Sequence, residues 1–101
     1  PPLIYIKGNK SLLHDDTIAI VGSRKADSIS LEFTKNIAIN ATKKYQCVVS
    51  GGAKGVDQTA LDESIKANGH SILVLPQGIL TASSLMKKYY KHIIEGNLLV
   101  L

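Results

Sequence analysis

Cysteine occurs once in this chain, at Cys47, so no internal disulfide can form. Lying at the head of an apolar run, Cys47 reads as a buried strand thiol suited to a reducing compartment. No apolar run approaches the ~18 residues of a membrane span, and no signal-peptide pattern opens the chain. The expectation is a soluble cytoplasmic protein with no membrane partner. Tryptophan is absent, and Phe33 and four tyrosines are the only aromatics. Most of these fall on stripes expected to pack, so platforms for stacking bases are scarce. His14, His70 and His92 are scattered without a ligand pair at helical spacing, which argues against a metal site. The first glycine turn lacks the G-x-G-x-x-G of a nicotinamide dinucleotide site, and no stretch supplies the G-x-x-x-x-G-K-[ST] of a nucleoside triphosphatase. No cofactor is called for.

What the chain does contain is 101 residues, 45% apolar, with a net charge of +4. That is one domain with a small core. The mild basic bias permits a polyanionic partner without requiring one. The opening Pro1-Pro2 and the closing apolar run Asn97-Leu98-Leu99-Val100-Leu101 look like cut edges. Residues 1–101 are therefore expected to be one domain of a longer chain.

The most informative stretch is Cys47-Val48-Val49-Ser50-Gly51-Gly52-Ala53-Lys54-Gly55-Val56-Asp57. An apolar strand feeds a glycine loop, which feeds a helix. Helix starts leave N–H groups unpaired and carry partial positive charge, so they suit anions. Lys54 adds a full charge in the same loop. Upstream, the β-branched run Thr17-Ile18-Ala19-Ile20-Val21 reads as a buried strand ending in a second cationic turn, Gly22-Ser23-Arg24-Lys25.

The remaining elements alternate. A short strand over 3–7 is closed by Gly8-Asn9, and a brief irregular piece carries Leu12 and Leu13. A helix capped by Asp27 or Ser28 sets Ile29, Phe33, Ile37 and Ala41 inward, with Ala38 and Tyr45 widening the stripe. A second helix runs from Val56 to a left-handed stop at Asn68-Gly69 and packs through Ala60, Leu61 and Ile65. A strand over 71–75 turns at Pro76-Gln77-Gly78. A third helix from Ser83 or Ser84 carries Leu85, Met86, Tyr89, Tyr90 and Ile93 inward, and a last strand follows Gly96-Asn97.

This alternation predicts an α/β fold: a Rossmann-like three-layer domain with helices on both faces of a mainly parallel sheet, plus the short N-terminal strand. The expected order of the four main strands is 3-2-1-4. Ligands in such sheets sit at the carboxyl ends of the strands, where the order reverses. That edge collects Gly22, Ser23, Arg24, Lys25, Ser50, Gly51, Gly52, Ala53, Lys54 and Gly55 around one crevice. The hydroxyls of Ser23 and Ser50 read as donors to an anion, since no histidine is placed to activate either as a nucleophile. Asp57 can act as a general base, but its preferred reading is to stabilise the helix start or hold the glycine loop by hydrogen bonds. A nucleotide or a nucleic-acid backbone would satisfy the crevice.

Three segments in order resemble the DNA-processing protein A family (DprA, also called Smf). They are Pro1-Pro2-Leu3-Ile4-Tyr5-Ile6-Lys7-Gly8, Ile18-Ala19-Ile20-Val21-Gly22-Ser23-Arg24 and Val49-Ser50-Gly51-Gly52-Ala53-Lys54-Gly55-Val56-Asp57. The resemblance implies a non-enzymatic protein that binds single-stranded DNA, dimerises, and loads a RecA-type recombinase during natural transformation. It also implies that Gly22, Ser23, Arg24, Ser50, Gly51, Gly52, Ala53 and Lys54 line the DNA pocket. Ser50-Gly51-Gly52-Ala53 is similar as well to related nucleotide-binding branches of the superfamily. A nucleotide-binding or nucleotide-processing protein using the same crevice is therefore the alternative.

Overall fold

Parallel strands alternating with helices build the computed structural model, which describes residues 6–52, 55–75 and 83–101. Strand β1 (Lys7–Gly8) leads through a 3-10 helix (Lys10–His14) to β2 (Thr17–Ala19) and α1 (Ser28–Lys43). Then come β3 (Cys47–Ser50), α2 (Val56–Lys66), β4 (Ser71–Leu73), α3 (Ser83–Ile94) and β5 (Leu98–Val100). Most of the expected lead-in strand and the turn at Pro76-Gln77-Gly78 lie outside the described residues.

The class is α/β as expected, but the strand order differs. It is β1-β5-β4-β3-β2, with β2 to β5 parallel and β1 antiparallel to β5. The last strand lies beside β4 rather than on the far side of β2. The burial of the strands explains the preference. All three residues of β5 and of β4 are buried, whereas Thr17 and Ala19 of β2 are exposed. A wholly apolar strand is stabilised between two paired neighbours with both faces covered, here by α3 on one side and Leu12 on the other.

This order changes the layering. Each right-handed crossover adds its strand on the same side of the last, so every helix falls on the same face of the sheet. Register shows it: Ile18 lies beside Val48, Val48 beside Ser71, and Ser71 beside Leu98. On that face Ile20 and Val48 pack against Ala38 and Ala41 of α1 and Ala60 of α2. Leu73, Leu98 and Val100 pack against Leu61 of α2 and Tyr89 and Ile93 of α3. The opposite face carries Cys47, Ile72 and Leu99, covered by Leu12 of the 3-10 helix. The expectation of helices on both faces is thus corrected among the described residues, and the order does not reverse at the crevice.

Helix α1 begins where expected, with the Asp27 carboxylate accepting from Ser30 N–H at 2.8 Å. That bond holds the Asp27 carboxyl below its usual range. Of the residues expected inward, Ala38 and Ala41 are buried and Ile37 packs against the core, but Ile29 and Phe33 are 79% and 66% exposed and Thr34 is buried in their place. Small residues let α1 approach β3 and α2 closely, which the bulkier neighbouring stripe would prevent. Tyr45, also expected inward, is exposed just past the helix with a positive φ of 58°, and Tyr90 of α3 is exposed too. Helix α2 stops as predicted, with Asn68 at φ 61° and Gly69 N–H donating to Ser64 O at 2.9 Å. No described helix is long and apolar enough to cross a membrane.

Cys47 is fully buried on the sheet, and burial, with the Asp15 carboxylate adding to it, pushes its thiol from 9.0 up to about 12. Between those values the unfolded chain has lost the proton and the native chain has kept it. The native state therefore loses stability as pH rises above 9.0 toward 12, and this contribution is fully present below 9.0. Two results are expected. The urea midpoint falls with pH only above that lower value, and at pH 8 a thiol reagent labels native Cys47 at least about a hundredfold more slowly than the unfolded chain. Labelling at the unfolded rate would contradict the burial.

Candidate nucleic-acid interface

The site begins with two neighbouring strands ending at the same edge. Beyond their ladder, Ile20 N–H donates to Val49 O at 2.9 Å, and the Ser50 hydroxyl donates to Ile20 O at 2.5 Å. The turn at 22–25 and the loop from Gly51 to Gly55 consequently leave the sheet side by side. They are then tied to each other from α2. Asp57, in its first turn and 9% exposed, accepts from Gly22 N–H at 3.0 Å on Oδ1 and from Gly51 N–H at 3.2 Å on Oδ2. Val56 N–H donates to Ser23 O at 3.2 Å.

Glycine is required where these segments touch. Gly55 caps α2 at φ 87° and ψ −130°, and a Cβ there would fall on the carbonyl oxygens of Ser23 and Arg24. At Gly51 a Cβ would meet Asp57 Oδ2 at 2.8 Å, so the carboxylate reaches the loop only because no side chain stands in its way. The loop glycines serve contact between backbones as well as any ligand.

Among the residues expected in the crevice, Gly22, Ser23, Arg24, Lys25, Gly51 and Gly55 are brought together by these bonds. Ser23, Arg24 and Lys25 are exposed, and the Ser23 hydroxyl oxygen accepts from Lys25 N–H at 3.0 Å. That bond leaves the Ser23 proton for an outside acceptor. Ser50 departs from the expectation of a hydroxyl facing an anion. It is 2% exposed and its proton goes to Ile20 O, so it joins two strands instead. Gly52 is buried. The N–H groups of Gly22 and Gly51 also turn inward, to Asp57. Ala53 and Lys54 lie outside the described residues. What the site presents to solvent is therefore cationic side chains and a hydroxyl on a backbone frame fixed by one carboxylate.

Arg24 offers a planar fork that binds phosphate bidentately, and Lys25 offers a point charge. The larger cavity, about 760 Å³, lies at the opposite edge of the sheet and includes Asp15, Asp16, Lys43, Tyr45 and His70 in its wall. There His70 Nδ1 sits 3.5 Å from Asp15 Oδ2. Two carboxylates in that wall repel a polyanion, so size does not make it the phosphate site. Sequence reasoning missed an apolar slot beside the glycine loops, lined by Ala19, Val21, Val49 and Val74. Valines at the ends of strands read as core, and the fold of the described residues leaves Val21 and Val74 exposed.

Comparison with known proteins agrees with this fold. DNA processing protein DprA of Streptococcus pneumoniae is 32% identical over 79 residues, which is 78% of this chain and 28% of the relative. Protein Smf of Escherichia coli is 28% identical over 81 residues, 80% of this chain and 22% of the relative. The chain thus spans about a quarter of the length of these relatives. Among solved structures, DNA processing protein A from Helicobacter pylori, described for its single-stranded DNA binding mode, superposes with a TM-score of 0.72 at 27% identity. That match covers 95% of this chain and 45% of the other. The S. pneumoniae DprA crystal structure gives 0.73 at 26% identity, over 94% of this chain and 33% of that one. The family model for DNA recombination-mediator protein A matches residues 1–101, and the chain belongs to that family.

Proposed function

We propose that this chain binds single-stranded DNA through the edge formed by the turn at 22–25 and the loop at 51–55. The full protein would be a cytoplasmic, non-enzymatic homodimer that assists a RecA-type recombinase in DNA processing during natural transformation. The observation that carries the binding reading is the double anchor of Asp57 on Gly22 and Gly51, which holds the exposed Arg24 and Lys25 beside the start of α2. The single-stranded DNA binding described for the H. pylori relative supports it. Binding fits the site better than chemistry does. Asp57 already accepts two N–H groups and the buried Ser50 hydroxyl donates its hydrogen bond to the Ile20 carbonyl, so neither is poised as base or nucleophile.

A fluorescent oligothymidylate titrated across a salt series tests this reading. The native chain is expected to bind with strong salt dependence. Arg24→Ala with Lys54→Ala should weaken binding and flatten the log–log slope by about 0.7 for each phosphate no longer neutralised. Absence of binding, or binding untouched by the two substitutions, would overturn it. Saturation by a mononucleotide with no dependence on strand length would favour a nucleotide site instead.

A further inference from the structure

Helix α2 is stopped by a closed pair of hydrogen bonds. Asn68 takes the left-handed angle, φ 61°, and its N–H donates to Ile65 O at 3.0 Å, while Gly69 N–H donates to Ser64 O at 2.9 Å. This is the Schellman arrangement, which closes a helix through the two residues that follow its cap. Each residue suits its place for a separate reason. Asparagine is one of the few side chains that tolerate the left-handed angle. Gly69 is buried, and a Cβ on it would overlap Thr42 Oγ1 and stand 3.0 Å from Ser64 Oγ, so the packing of α1 against the end of α2 excludes a side chain there.

Together the two residues make a chemically labile pair. Asparagine is thermolabile because the backbone nitrogen that follows it can attack its side-chain amide carbon, and glycine, having no Cβ, hinders that attack least. The other asparagines, Asn9, Asn36, Asn40 and Asn97, are followed by Lys10, Ile37, Ala41 and Leu98, each with a side chain in the way. At Asn68 the attacking atom is Gly69 N, whose proton is held by Ser64 O.

We propose that Asn68 is the chain's site of spontaneous deamidation and that the closed turn after α2 gates it. Once the turn opens, Gly69 N gives its proton to hydroxide and bonds to Asn68 Cγ, and the side-chain nitrogen leaves as ammonia with a proton taken from water. Water then opens the resulting imide ring at either carbonyl, leaving aspartate or isoaspartate. Both products weaken the turn. A carboxylate there meets the negative end of the α2 dipole and shares a cavity wall with Asp15 and Asp16. Isoaspartate also routes the backbone through the former side chain, so the bond from Gly69 to Ser64 no longer closes. The site lies at the sheet edge opposite the glycine loops, so the reaction acts on stability and leaves the DNA surface in place.

The test incubates the purified chain at mildly alkaline pH, native and in urea, and follows its peptides by mass spectrometry. In urea Asn68 is expected to become an acid before any other asparagine, and in the native chain at least about tenfold more slowly. The product, refolded, should show a lower urea midpoint than the untreated chain. Asn68→Gly keeps the left-handed angle without the reactive amide, so after the same incubation its midpoint should be unmoved. Another asparagine reacting first in urea would overturn the site. Equal rates in native and unfolded chains, an unchanged midpoint in the product, or an equal loss in Asn68→Gly would overturn the gate.

Discussion

Gly55→Ala is expected to destabilise the chain by about 3 kcal/mol or more, the largest single-methyl effect in the site. Gly55 holds φ 87° with ψ −130°, a region closed to residues with a Cβ, and the added carbon would overlap the carbonyl oxygens of Ser23 and Arg24. Those are backbone atoms, so no rotamer change relieves the overlap, and the two loops must separate. Gly96→Ala is the matched control. Gly96 also has a positive φ, 81°, but a Cβ there would find its nearest neighbour, Asn9 Nδ2, at 3.7 Å. Only conformational strain of about 1–2 kcal/mol is expected from it. Urea denaturation of the two variants separates strain from overlap. Equal losses at Gly55 and Gly96 would show that the meeting of the two loops adds nothing.

Asp57→Asn is expected to cost about 2–3 kcal/mol and to weaken DNA binding further than the loss of stability explains. The carboxylate supplies two acceptors to two N–H donors, Gly22 and Gly51. An amide of the same shape supplies one acceptor and turns an NH2 group toward the other donor. One loop is then left with an unpaired, partly buried N–H, and the spacing between Arg24 and the start of α2 is no longer set. Urea denaturation alongside oligothymidylate titration under folding conditions checks both parts. Native affinity in a folded Asp57→Asn chain would show that the anchor serves stability alone.

Local pattern predicts a good deal of this. The strand, loop and helix succession from Cys47 to Asp57 follows from an apolar run, a glycine loop and a helical stripe, and the Asn68-Gly69 stop from left-handed preference. The bridging of loops by Asp57 is one of the roles open to a carboxylate in that position. What local pattern does not supply is partnership between distant segments. The place of β5 between β4 and β1 depends on α3 and Leu12 meeting its two apolar faces there. On α1 the inward places of Ile37, Ala38 and Ala41 are legible, but close packing against Val48 and Ala60 decides that Thr34 rather than Ile29 and Phe33 completes the stripe. The partner of the Ser50 hydroxyl depends on the register of β2 against β3, which brings Ile20 O within reach. Each miss concerns residues far apart in the chain that meet only in the fold.

Whether the turn at 22–25 and the start of α2 form the DNA surface is decided by an amide chemical-shift titration of the isotope-labelled chain with oligothymidylate. The largest shifts are expected at Ser23, Arg24, Lys25 and the first turn of α2, with those of Lys43, Tyr45 and His70 at the opposite edge unmoved. Shifts concentrated at that opposite edge, or on the lysines of α3, would contradict a DNA surface at the glycine loops.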